Sequence, residues 1–176
     1  EPGLTEANRA YYGCVIFDPY ANIWRAWFDA SSGMDLGYGE SSAADGSQWG
    51  NYALCAGFTN SYKQSKCFVI QMAQNSFRMW YMADDRVGGY YINTCSSTDG
   101  INWTDDRWAT GIAEPDASTY GAVERFTAVQ LEDGSLVAYI RCEEPEIATA
   151  IVGSKRLSRY TSPDGIVWTW TNDTLV

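Results

Sequence analysis

A Ser-x-Asp-Gly-x-x-Trp turn occurs three times in this chain: as Ser42 to Trp49 with one extra residue, as Ser97 to Trp103, and as Ser162 to Trp168. The intervals from Asp45 to Asp99 and from Asp99 to Asp164 are 54 and 65 residues. A turn repeated at intervals of about 50 residues marks a fold assembled from stacked supersecondary units. In the tight turn, Gly takes positive φ without penalty and Asp hydrogen-bonds local amides, so three copies of the pair read as a fold device. A lone Asp per turn supplies too few oxygen ligands for a calcium site.

The segments between the turns repeat as well. Strand-forming runs precede each turn at Leu36 to Ser41, Tyr90 to Cys95 and Lys155 to Tyr160. Before them lie aromatic-rich runs, Trp24 to Phe28, Phe77 to Tyr81 and Ser135 to Tyr139, which align Trp27 with Trp80 and with Ala138. Short apolar runs come first, Cys14 to Phe17, Cys67 to Ile70 and Arg125 to Val129, and end in polar turns such as Glu132-Asp133-Gly134. A fourth strand follows the Trp, as in Trp49 to Leu54. Four antiparallel strands per unit without helical periodicity predict an all-β fold of the β-propeller type. One domain is expected over residues 1–176, with blades at 11–58, 63–113 and 120–176.

A single blade cannot bury both of its faces, so blades must stack, and each large ring placed between them contributes roughly 1.5 to 3 kcal/mol. Propellers close with about four to eight blades, and three are visible. The sequence therefore predicts a homo-oligomer, two chains making six blades for example, or a piece of a longer protein that supplies the rest. An open stack would leave sticky faces and unpaired edges. A start at Glu1-Pro2 fits a processed mature protein, an excerpt of a longer chain or an expressed piece, and an extracellular or exported location is expected.

Composition narrows the chemistry. Twenty-two acidic residues against 12 basic ones leave a net charge of −10, which repels nucleic acid and anionic lipid. No apolar run reaches the length of about eighteen residues that a membrane span needs. With no histidine, Ser-His-Asp and Cys-His nucleophile systems and His-ligated metals are excluded, and carboxylates remain as the acid–base groups. Neither a metal nor a cofactor is expected. The five cysteines, Cys14, Cys55, Cys67, Cys95 and Cys142, include no Cys-x-x-Cys pair and read as free buried thiols.

The strings Phe77-Arg-Met-Trp-Tyr and Ser97-Thr-Asp-Gly-Ile-Asn-Trp-Thr resemble the repeat of the five-bladed β-propeller glycosidases: arabinanases, xylosidases, invertases and mannoside phosphorylases. They resemble less closely the Asp-box of sialidases, in which a residue separates Asp from Gly. The likeness runs from about Tyr11 to Thr171. It implies that innermost strands line a central funnel and carry the catalytic carboxylates. On the matching runs stand Asp18, before Pro19, as a candidate base or nucleophile, and Glu124, in Val123-Glu-Arg-Phe, as its catalytic partner. Asp18 aligns with Gln71 and Val129, and a turn-initiating Asp before Pro is the competing reading. Arg125, Arg141 and Glu143 are the candidate substrate contacts, for sugar hydroxyls or carboxylates, with Glu144 and Glu146 on the excursion from Glu143 to Gly153; an exposed ion pair and a solvated charged loop are the competing readings.

Three functions compete. A glycoside hydrolase-like propeller requires Asp18 and Glu124 to face one cleft, about 5 Å apart for retention or about 6.5 to 9.5 Å for inversion. A non-catalytic glycan-binding or structural module of a cell surface or virus particle requires no such pair. A scaffold for protein partners would use the blade tops.

Overall fold

The computed structural model describes residues 11–30, 35–59, 63–84, 90–112, 123–143 and 155–175. Their regular structure is entirely β: β1 (Tyr11–Asp18), β2 (Ile23–Ala30), β3 (Asp35–Ser41), β4 (Gly50–Leu54), β5 (Lys63–Ala73), β6 (Ser76–Asp84), β7 (Tyr90–Ser97), β8 (Trp103–Trp108), β9 (Val123–Gln130), β10 (Leu136–Glu143), β11 (Lys155–Ser162) and β12 (Thr169–Leu175). They make three four-stranded antiparallel sheets with neighbours in chain order, β1 to β4, β5 to β8 and β9 to β12. These are the blades of a partial propeller. Among the described residues no helix is long and apolar enough to cross a membrane.

Pairing register relates the blades residue by residue. Trp24 faces Ser41, Phe77 faces Ser97 and Leu136 faces Ser162. Counting three residues along from this anchor gives Trp27, Trp80 and Tyr139, so Tyr139 and not Ala138 is the third member of that series. The anchor also moves the start of the first turn from Ser42 to Ser41. Ser41 Oγ accepts from the Ala43 amide at 3.3 Å, as Ser97 Oγ accepts from Asp99 and Ser162 Oγ from Asp164. Two additional residues then precede Asp45.

In the two regular turns the aspartate is fully occupied by its own backbone. Asp99 Oδ1 accepts the amides of Ile101 and Asn102, both at 2.8 Å, and Asp164 Oδ1 those of Ile166 and Val167 at 2.8 and 3.0 Å. Glycine is needed twice over at Gly100. Its φ is +82°, and a Cβ there would lie 3.0 Å from the Trp27 ring of the preceding blade.

That close approach belongs to the lock between blades. Trp27 Nε1 donates to Gly100 O at 2.7 Å, and Trp80 Nε1 to Gly165 O at 2.8 Å. Both indoles are fully buried. The Trp27 ring lies 6.0 Å from Phe77, while Trp80 stacks on Phe126 at 5.2 Å. A second clasp is made by the chain just after β4 and β8. Ala56 N donates to Ile101 O at 2.9 Å and Trp103 N to Ala56 O at 2.8 Å; Thr110 pairs in the same way with Ile166 and Trp168.

Candidate functional site

Antiparallel pairing gives each blade two ends. The β1–β2, β5–β6 and β9–β10 hairpins share one end with the Asp-Gly turns, and the starts of the inner strands β1, β5 and β9 lie at the other. Near those starts every inner strand is irregular. Between Tyr11 and Cys14, and between Ser65 and Phe68, pairing slips by one residue, and in the third blade Glu124 falls between Val123, opposite Cys142, and Arg125, opposite Arg141. A bulge inserts one residue and re-aims its neighbours, which is how strand ends next to binding sites are commonly shaped.

The third blade gathers four of the five candidates at this end. Arg125 pairs directly with Arg141, Glu124 is the bulge residue beside them, and Glu143 closes β10 opposite Lys155. Two like charges facing each other across a ladder are unfavourable, so their retention at a bulged strand start suits an anionic or hydroxyl-rich partner better than it suits sheet stability. Arg125 is exposed and Arg141 half-buried. Glu144, Glu146 and the rest of the excursion to Gly153 lie outside the described residues.

Asp18 is at the opposite, hairpin end. The level of Glu124 is about six strand residues above the β9–β10 turn, or about 20 Å at roughly 3.3 Å per residue. The structure therefore does not bring Asp18 and Glu124 together across one bond. Asp18 is 1% exposed, and its oxygens are taken. Oδ1 accepts from the amides of Tyr20 (3.0 Å) and Ala21 (3.2 Å) and from Gln71 Nε2 of the next blade (3.0 Å); Oδ2 accepts from Arg25 Nε at 2.9 Å. The two amide bonds are those of a turn-initiating Asp, and Gln71 adds an interblade tie.

Arg25 carries the network onward. Its Nη1 donates to Tyr38 Oη, to Glu40 Oε1 at 3.0 Å and to the Asp99 carbonyl at 3.4 Å. Tyr38 Oη donates to Glu40 Oε1 at 2.5 Å, and the guanidinium lies over the Phe77 ring at 5.2 Å. Burial pushes the Asp18 carboxyl up, but the bonds from Gln71, Arg25, Ala21 and Tyr20 outweigh it and hold the group below its ordinary value. The same balance acts on Asp99, where burial is overcome by Asn102, Ile101 and Ser97, leaving it at about 2, and on Asp164, held down by the amides of Val167 and Ile166.

A pH dependence follows. A carboxylate whose folded value is depressed stabilises the protein fully above its unfolded value, 3.8, and the contribution disappears as pH falls through the folded one. Urea midpoints should thus drop between about pH 4 and pH 2, and Asp99→Asn should make the drop shallower in that window. An identical pH profile for the variant would count against the turn as the titrating element.

Sequence reading overlooked one polar group at the strand-start end. Asp29, on β2, is buried and accepts the Lys66 amide at 2.8 Å, beside buried Gln64 and Ser65. Lys66 has φ +52° inside a strand. An isolated Asp among aromatics in Trp27-Phe28-Asp29-Ala30 was the available signal, but nothing local tells which end of the blade it occupies. Among the described residues, Cys14, Cys55, Cys67 and Cys95 are free thiols.

No family model matches the sequence, and no curated protein matches it. Solved structures do. The chain is similar to an N-acetylgalactosamine deacetylase from F. plautii in complex with blood group B trisaccharide, with TM-score 0.69 and 14% identity over 94% of this chain and 52% of that one. It is similar to the β-fructofuranosidase of Schwanniomyces occidentalis complexed with fructosyl-erythritol, with TM-score 0.70 and 10% identity over 97% and 35%. A third is the α-L-arabinanase of Penicillium chrysogenum complexed with arabinobiose, with TM-score 0.65 and 14% identity over 91% and 48%. The chain thus spans between about a third and about half of these proteins. The resemblance to propeller glycosidases holds at the level of the fold.

Proposed function

We propose that the chain is a glycan-directed propeller module, exported from the cell, whose carbohydrate contact lies at the strand-start end of the third blade. The observation that carries this reading is the register there: a bulged Glu124, the Arg125–Arg141 pair and Glu143 share one sheet end. Guanidinium groups present planar forks of donors suited to vicinal hydroxyls and carboxylates, and neighbouring carboxylates accept from sugar hydroxyls. In this reading Asp18 is a positioning residue that ties the first blade to the second. If the complete assembly is hydrolytic, Glu124 is its acid–base group and a second carboxyl comes from the same end. The non-catalytic alternative is favoured by the enclosure of Asp18, which removes one of the two carboxyls that glycoside cleavage requires.

A glycan array followed by titration of the best oligosaccharide tests this. Arg125→Ala and Arg141→Ala should each weaken binding about ten- to a hundredfold, the worth of a charge-assisted hydrogen bond. Asp18→Asn should lower stability and leave affinity intact. Binding lost in Asp18→Asn at a temperature where it is folded, and kept in the arginine variants, would move the site to the other end. Turnover that disappears in Glu124→Gln selects the hydrolytic form, and binding without cleavage the other.

A further inference from the structure

Each blade has a face toward the next blade and a face toward the preceding one, and the chain leaves one of each uncovered. Register shows what those faces are. Val15 pairs with Ala26 as Val69 pairs with Met79, so Val15 holds in the first blade the position of Val69 in the second. Yet Val15 is 54% exposed and Val69 1%. Around Val15 the same uncovered face carries Phe17, Trp24, Phe28 and Tyr52, with Phe17 packed on Trp24 at 5.2 Å. Gly37 and Gly39 of β3 let Phe28 and Tyr52 lie flat against the sheet.

The complementary face is on the third blade. Val129 pairs with Val137 two residues from the Thr127–Tyr139 pair, and so occupies the position that Ile16 and Ile70 fill in the other blades. It is 53% exposed, although Ile16 and Ile70 pack into the two interblade cores. One chain therefore presents both halves of the same kind of interface.

The lock has changed on both halves together. Tyr139 replaces the Trp that donates from the first and second blades. The first blade's turn, which would receive that donor, is instead served from within: Trp24 Nε1 donates to Ala44 O at 3.3 Å. A donor missing on one open face is matched by a satisfied acceptor on the other.

We propose that a second copy of this chain covers both faces, the first blade of each copy packing on the third blade of the other to close a ring of six sheets. Such head-to-tail contacts close when the rotation fits, and six sheets lie within the range of about four to eight that closed propellers use. The proposal rests on the blade architecture and not on the glycan reading, so solution mass tests it separately from binding.

Light scattering on the 176-residue chain at micromolar concentration should give twice the monomer mass. Val15→Asp and Val129→Asp should each give monomers with unchanged far-ultraviolet spectra. Mixing the two variants should restore a dimer, because one of the two interfaces then joins two unaltered faces. Tyr52→Glu and Thr127→Glu replace them if either fails to fold. A wild-type monomer, whose faces would then belong to further blades of a longer chain, overturns the proposal. So does a dimer that survives Val129→Asp, since two first blades packed back to back would not use that residue.

Discussion

Replacing Arg25 by Met should lower the unfolding free energy by about 3 to 5 kcal/mol, the cost of stranding a buried charge by removing its partner. Arg25 is 9% exposed and Asp18 1%, so water cannot take over the lost bond. The guanidinium also serves Tyr38, Glu40 and the Asp99 carbonyl, so one change frees acceptors on three strands and on the neighbouring blade's turn. Met keeps much of the stem that packs over Phe77, which confines the loss largely to charge and hydrogen bonding. The double variant Arg25→Met with Asp18→Asn should recover part of the loss, because the carboxylate left unpaired in the single variant is then neutral. Urea midpoints for the four members of this cycle decide the matter. If the double variant is no better than Arg25→Met, the energy lies in packing and the ion pair is incidental.

The repeat was legible in the sequence because each copy must solve the same problem. A turn that seats a neighbour's indole against a glycine carbonyl tolerates few residues, so Gly100 and Gly165 recur with their flanking Ser, Asp and Trp. Strands were legible for the same reason. The alignment slipped where a blade lacks a neighbour. On β10 the apolar core positions are Leu136, Ala138 and Ile140, and the aromatic residue has moved to Tyr139 on the uncovered face, so matching rings to rings shifted the strand by one. In the first turn the additional residues follow Ser41, whose hydroxyl role is set by pairing with Trp24 and cannot be told locally from that of Ser42.

The site was less legible because its geometry is made by pairing between distant segments. Nothing near Asp18 announces that Gln71 donates to it from the next blade, or that Arg25, seven residues later, returns across a hairpin. An Asp before Pro has the same local appearance in a funnel and in a turn. What distinguishes them is the end of the strand it occupies, and this depends on where β1 stops. Arg125 and Arg141 were found as charges in apolar surroundings, but their direct pairing required the register of β9 on β10.

The other large effect is expected at two glycines that the repeat search passed over. Gly57 and Gly111 each stand eight residues after a motif Trp, Trp49 and Trp103, in the clasp that joins one blade to the next turn. A Cβ on Gly57 would lie 1.8 Å from the Trp103 carbonyl oxygen, and one on Gly111 would lie 2.0 Å from that of Trp168. Their φ values of +99° and +79° add the left-handed penalty of about 1 to 2 kcal/mol. The obstructing atom is backbone already bonded within its own sheet, so relief requires the blades to separate. Gly57→Ala should therefore cost more than about 4 kcal/mol, in the range reserved for the loss of a packing interface, and open the first blade to proteolysis. Gly111→Ala should act likewise between the second and third blades. Gly134→Ala provides the comparison: its φ is +85°, but no atom lies within 4 Å of the added carbon, so it should show the conformational penalty alone. Equal losses in Gly57→Ala and Gly134→Ala would mean that the clasp yields without cost, and the blades are then held by the tryptophan locks and the cores between them.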